Sequence, residues 1–315
     1  MTTILKNFLG DCKTRGLTKH TIETYKSNAK TFLEQYPDPV SVGQDELRDF
    51  LGTLRERELH GSTLNGSTLK GYFASLSAMY DFLVYEGALV ANPVPSFRKR
   101  YLSRLKVQYG GENERQLASI PTMRALVSAA ETEGIRTVAI IMLFAKTGMR
   151  KGESWRLREH DINFEENTIR VPGRSKRTYR TAFVDDELRA VLKKYLAWRM
   201  GRAYTDWLWI SDAGGHLHPD RLGAAVTVSA ERIGIHSPGA PLCERFTTHC
   251  GRHFLTTSLF RAGMNPQHIK YLRGDSLKKE AWQMYNHIEI EDVRAEYLRC
   301  IPKLLRFEQK LEVFL

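Results

Sequence analysis

The strongest constraint on the fold is the spacing of apolar residues, which is helical almost throughout and switches to strand alternation at only one place. From Thr18 onward, Ile22, Tyr25, Ala29, Phe32 and Leu33 fall three or four apart or in multiples of that, with Thr18 placed to cap the helix. From about Ser67, Leu69, Tyr72, Phe73, Leu76, Met79, Tyr80 and Leu83 form a broad stripe that ends at Gly87 and Asn92-Pro93. These aromatics read as the core of a helix bundle. Helical spacing returns at Met123 to Ala130, Val138 to Phe144, Asp186 to Met200, Leu222 to Ile233, Gly251 to Ala262 and Pro266 to Leu272. Between them, Thr168 to Val171 and Thr178 to Val184 alternate around a Pro-Gly-Arg-Ser-Lys-Arg turn, which predicts a β-hairpin. The expected fold class is therefore mainly α (α+β): a helical domain followed by a mixed domain with a small antiparallel sheet.

A composition shift marks the boundary. From Pro93 to Gly111 there is no acidic residue, while Arg98, Lys99, Arg100, Arg104 and Lys106 gather beside prolines and a Gly-Gly pair. This predicts a helical domain over 1–97, a basic linker over 98–118, a second domain over 119–301 and a short amphipathic tail helix over 302–315. In the tail, Leu304, Leu305, Phe307, Leu311 and Phe314 are available to bury, on their own domain or on a neighbouring protomer.

Charge indicates the partner. Lys plus Arg number 47 against 36 Asp plus Glu, for a formal net charge of +11, so a polyanion fits best. The longest apolar stretch, Thr137 to Ala145, is too short to span a bilayer, and the N-terminus lacks a basic region followed by an apolar one, so nucleic acid is favoured over a membrane. Cys12, Cys243, Cys250 and Cys300 form no C-x-x-C pair and read as reduced thiols of a cytoplasmic protein. Cys243, His249, Cys250 and His253 are zinc-ligand types close in sequence, but adjacent His249 and Cys250 diverge on a helix, and no metal is expected.

Three islands carry the chemistry. In Thr147-Gly148-Met149-Arg150-Lys151-Gly152-Glu153 an apolar helix meets a glycine, then an arginine with a glutamate three on. In Thr248-His249-Cys250-Gly251-Arg252-His253-Phe254 a histidine precedes an arginine by three, on one helical face. Trp282-Gln283-Met284-Tyr285-Asn286-His287 then presents a tyrosine. Cleaving a phosphodiester without a metal needs cations on the non-bridging oxygens, a nucleophile and an acid for the leaving oxygen. Arginine suits the first task because its fork matches a phosphate and stays charged.

In these islands the chain resembles the tyrosine recombinases, the family of phage integrases and Xer proteins, whose motifs are T-G-x-R-x-x-E, H-x-x-R-H and a tyrosine about thirty residues later. Leu17-Thr18, Thr21, Tyr25 and Phe32 resemble the family's core-binding helix, so the likeness spans nearly the whole chain. It implies that Arg150 and Arg252 clamp the scissile phosphate, that His249 assists by hydrogen bonding and proton management, and that Tyr285 is the nucleophile. Glu153 then orients Arg150 or the helix that holds it, with His253 as a further supporting residue. The family's leaving-group acid is a lysine in the hairpin turn, matched by Lys176; Arg174 and Arg177 beside it point to DNA. The basic segment with Arg98, Lys99, Arg100, Arg104 and Lys106 is placed to lie along phosphates. Asp275, in Leu272-Arg273-Gly274-Asp275-Ser276, stands where the family usually has histidine or tryptophan and is counted with the catalytic set. Some archaeal members look similar there. An ionised aspartate repels phosphate, so either it is protonated or it pairs with Arg273 or a catalytic arginine.

The resemblance also implies a C-shaped grip on duplex DNA, a tetramer in synapsis, a 3'-phosphotyrosine intermediate and no cofactor. Integration, excision and dimer resolution all fit. The rival readings are a type IB topoisomerase and a DNA-binding relative that has lost catalysis. Of the competing tyrosines, Tyr271 lies in an apolar helical stripe and Tyr297 follows an acidic segment; both read as core or surface.

Overall fold

A computed structural model describes residues 3–59, 62–103, 105, 115–173, 180–275 and 289–305. The chain divides into two compact units, Met1–Tyr109 and Gly110–Leu315. The first is built from α1 (Thr3–Thr14), α2 (Lys19–Gln35), α3 (Gln44–Glu56), a two-stranded ribbon of β1 (Glu58–Leu59) and β2 (Ser62–Thr63), α4 (Gly66–Tyr85) and α5 (Val94–Phe97). Side chains fix the starts of the two long helices. Thr18 accepts from the Thr21 amide and Asn65 from the Thr68 amide, each satisfying an orphan donor of the first turn. Phe8, Phe32, Phe50, Phe73, Tyr80 and Phe97 are fully buried together, with Phe73 stacked on Phe97 at 5.0 Å and Phe32 edge-on to Phe50 at 5.0 Å. The aromatic stripe is thus core, as its spacing implies.

The basic segment is not an open linker from its first residue. Arg98–Leu102 continues α5 as a π-helical turn, and Leu102 is buried in the first unit beside Val94 and Phe97. Three apolar residues at helical spacing decide this; the charges between them face outward, with Lys99 and Arg100 exposed.

The second unit is organised around α7 (Ile135–Thr147), in which every residue from Thr137 to Thr147 is buried. A helix apolar on all sides belongs inside, and α7 packs against α6 (Ile120–Glu131), α9 (Asp186–Arg199), α10 (Pro219–Arg232) and α11 (Thr248–Arg261). The short α8 (Lys151–Trp155) leads to an antiparallel sheet in the order β3 (Ile162–Asn163), β4 (Thr168–Val171), β5 (Arg180–Phe183). Ile169 pairs with Ala182 and Val171 with Arg180. Strands β4 and β5 pair antiparallel as their alternation predicts, while β3, only two residues long, has no sequence period to reveal it. A second apolar cluster gathers Phe183, Leu255, Leu259, Leu272, Val293 and Tyr297 from β5, α11, α12 (Pro266–Arg273) and α13 (Ile290–Cys300).

Only the first four residues of the expected tail helix are described. Residues 302–305 are not helical, and Leu304 and Leu305 are buried in the core of their own unit; residues 306–315 lie outside the described residues. Held instead by a buried ion cluster, the chain here runs over α7. Lys146 Nζ donates to Asp185 at 2.6 Å, to Glu187 at 2.8 Å and to the Pro302 carbonyl at 2.7 Å. Glu187 in turn accepts from the amides of Leu304 and Leu305.

Candidate active site

The site starts where α7 stops. Gly148 adopts a left-handed φ of +59°, and a Cβ there would meet Leu255 Cδ2 at 2.9 Å, so only glycine lets the chain turn against α11. The turn delivers Arg150 as the N-cap of α8 in an extended conformation. Glu153 closes the first turn of α8: Oε2 accepts from the Arg150 amide at 2.9 Å and Oε1 from Arg150 Nη1 at 3.0 Å. Glu153 thereby fixes both the backbone and the guanidinium of Arg150, as its place in the motif implies. Burial alone raises the Glu153 pKa, but the Arg150 amide and the Arg180 and Arg150 guanidiniums outweigh it and hold the carboxyl below its usual range.

Arg252 arrives from α11. That helix lies so close to α7 that a Cβ on Gly251 would stand 3.1 Å from Phe144 Cβ. The Arg252 side chain is buried, donating through Nη1 to the Gly148 carbonyl at 2.9 Å. Burial, then the neighbouring Arg150, lowers its pKa to about 10, which leaves it cationic at neutral pH.

Asp275 joins the two. Its Oδ1 accepts from Arg252 Nη2 at 2.7 Å and from Arg150 Nη2 at 3.1 Å, while Oδ2 lies 2.8 Å from Arg273 Nε as an ion pair without hydrogen-bond geometry. Of the alternatives open in the sequence, pairing with cations is the arrangement found, and it involves all three arginines.

Arg180 completes the cluster, and the motifs gave no hint of it. From β5, its Nη1 donates to the Leu272 carbonyl at 2.6 Å and its Nη2 to Glu153 Oε2 at 3.3 Å, tying the sheet to α8 and to the end of α12. Gly274 caps α12 at φ +60°, and a Cβ there would lie 2.7 Å from Arg180 Cδ. The one available signal was a charged residue opposite Val171 in an otherwise inward-facing strand. Burial lowers the Arg180 pKa, and Glu153 partly restores it.

His249 stands on the first turn of α11, open to solvent, with its ring centroid 5.0 Å from that of His253. Partial desolvation, followed by Arg115, His253, Arg252 and Arg150, pushes its pKa down to about 4, so at neutral pH it is an uncharged imidazole able to accept a hydrogen bond. Its neighbour Cys250 is buried and donates to the Arg245 carbonyl, so the two side chains diverge.

Arg150, Glu153, His249, Arg252, His253 and Asp275 thus come together. Lys176, Arg174, Arg177, Arg104, Lys106 and Tyr285 lie outside the described residues. Tyr297 is fully buried, donates to the Lys146 carbonyl at 3.0 Å and has its pKa raised by burial and then by Asp185, which makes it a structural phenol. Tyr271 is half-buried against the second apolar cluster.

Guanidinium groups from two separate segments, Arg150 before α8 and Arg252 on α11, meet at one carboxylate oxygen, Asp275 Oδ1, a geometry that also suits a phosphate oxygen. The sequence pattern described as "Phage integrase family" matches residues 121–291, and "Phage integrase, N-terminal SAM-like domain" matches residues 4–86. This chain belongs to the phage integrase family, the tyrosine recombinases, and is a site-specific DNA recombinase. It is 25% identical over 288 residues to tyrosine recombinase XerA of Saccharolobus solfataricus, covering 89% of this chain and 87% of that protein. Tyrosine recombinase XerC of Thermodesulfovibrio yellowstonii is 25% identical over 310 residues, 95% of this chain and 96% of the relative. In fold it is similar to the Tn1549 transposon integrase solved with circular intermediate DNA, with a TM-score of 0.67, 20% identity and coverage of 94% and 99% of the two chains. Among the described residues, no helix is long and apolar enough to cross a membrane.

Proposed function

We propose that this chain grips duplex DNA in the cytoplasm and breaks one strand at a time, by attack of Tyr285 on a phosphate held between Arg150 and Arg252. One observation carries this reading: the Nη2 atoms of both arginines reach a single carboxylate oxygen, at 3.1 and 2.7 Å, in the arrangement a non-bridging phosphate oxygen requires. The phenol oxygen bonds to phosphorus, the 5' oxygen leaves, and Lys176 supplies the proton that leaves with it. The product is a 3'-phosphotyrosine and a free 5'-hydroxyl. The surrounding guanidiniums favour the phenolate, whose ordinary pKa is about 10, so the phenol proton passes to water, and neutral His249 assists by hydrogen bonding at the site. The reverse reaction with a partner strand reseals the DNA, because the ester bond is conserved. Four protomers on two sites would exchange strands in pairs.

A nicked suicide duplex carrying the recombination site, mapped from DNA flanking the gene, tests the reading. The expected product is a covalent protein–DNA adduct whose attached peptide contains Tyr285. An adduct on another residue, or none, overturns it.

Lys99 and Arg100, exposed on the first unit, are proposed to contact phosphates together with Arg98, Arg104, Lys106, Arg174 and Arg177. Replacing Lys99 and Arg100 by alanine should flatten the slope of log affinity against log salt by about 0.9 per lost contact, equally for specific and random duplexes. An unchanged slope removes them from the interface.

A further inference from the structure

Asp275 occupies the point on which the phosphate clamp converges. Its Oδ1 takes one hydrogen bond from each clamping arginine, and its side chain is only 28% exposed. Four guanidiniums, from Arg150, Arg180, Arg252 and Arg273, face two carboxylates, Glu153 and Asp275. The two carboxylates are not equivalent. Glu153 is buried and bonded to the Arg150 amide, so it belongs to the scaffold. Asp275 follows the left-handed cap at Gly274. Its backbone is anchored by a hydrogen bond from its amide to the Lys270 carbonyl, and its carboxylate, which no backbone amide holds among the described residues, meets the arginines by side-chain contacts alone.

We propose that Asp275 is a resident anion that fills the phosphate site between Arg150 and Arg252 until a DNA phosphate displaces it onto Arg273. The inference rests on the clamp reading above. A tethered carboxylate competes at a high effective concentration, so a lone small anion binds poorly. A duplex brings many backbone contacts, and their combined binding free energy drives the exchange. Displacement does not strand a buried charge, because Oδ2 already lies 2.8 Å from Arg273 Nε, an atom that has no hydrogen-bond partner among the described residues. Asp275 thus keeps the cationic site closed to stray anions and reserves it for a phosphate presented by bound DNA.

Titrating inorganic sulfate into the full-length protein at low, constant ionic strength tests this without any cleavage. Asp275→Asn, nearly the same shape without the charge, should bind sulfate about tenfold more tightly than the wild type. The gain should vanish when Arg252→Ala is added. Equal affinity in wild type and Asp275→Asn overturns the proposal, as does a gain that survives Arg252→Ala, which would reflect net charge alone. Asp275→Ser, read the same way, guards against a folding defect of the amide. The two readings separate cleanly. A protein that attaches to DNA through Tyr285 but shows no sulfate gain loses the resident anion and keeps its clamp. One that shows the gain but forms no adduct keeps the anion and loses Tyr285.

Discussion

Arg252→Ala should slow covalent attachment to DNA by about a thousandfold, roughly 4 kcal/mol of transition-state stabilisation. The size follows from position. The Arg252 guanidinium is buried, so its charge acts where water screens it little, and it is oriented in advance by the Gly148 carbonyl at 2.9 Å. Lysine retains the charge but not the fork: it cannot bond Gly148 and the phosphate together in the same geometry, and Arg252→Lys should fall between alanine and wild type. Binding to uncleaved duplex should change far less, since most affinity comes from the many other phosphate contacts. Single-turnover rates on a suicide duplex, with binding measured in parallel, decide the matter. A loss below tenfold for alanine, or an equal loss in binding and rate, would mean that Arg252 holds the fold and does not stabilise the reacting phosphate.

The second large effect concerns stability. Lys146→Met should destabilise the second unit by about 3–5 kcal/mol, because Asp185 and Glu187, each 2% exposed at the side chain, lose the ammonium between them without regaining water, and Asp185 keeps only the more distant Lys303 at 3.6 Å. Heating the full chain in a calorimeter should move the transition of that unit down by roughly 10 °C. Adding Asp185→Asn and Glu187→Gln to Lys146→Met should recover part of the loss, because the stranded charges are gone and the amide oxygens still accept from the Leu188 amide and from one of the amides of residues 304 and 305. A triple variant no better than Lys146→Met would show that packing, and not stranded charge, sets the cost. Lys146 also sits one residue before Thr147-Gly148 in the turn that delivers Arg150, so seating of the tail and placement of the clamp share one anchor.

Much of the molecule was legible from sequence where the signal is local. Thr18 acts within its own first turn, and the all-apolar run of α7 declares itself buried. Glu153 and Arg150 are three apart, so their mutual bonds are a property of one helical turn. The short β3 strand, the Arg98–Leu102 turn and the non-helical course of residues 302–305 escaped, because each is decided by contacts made elsewhere. Arg180 escaped for the same reason: nothing near it in the chain reveals that Glu153 and the Leu272 carbonyl will be its partners.

The sequence by itself determined the kinds of group present, their order, and the helices and hairpin that carry them, since periodicity, caps and glycines act over a few residues. Only the tertiary structure decided that Asp275 bridges Arg150 and Arg252, that Arg180 braces them, and that Lys146 locks the tail onto α7. Coulombic and hydrogen-bond partners are chosen by distance in space, and packing α7, α11, α12 and β5 together is what reduces those distances to under 3.5 Å.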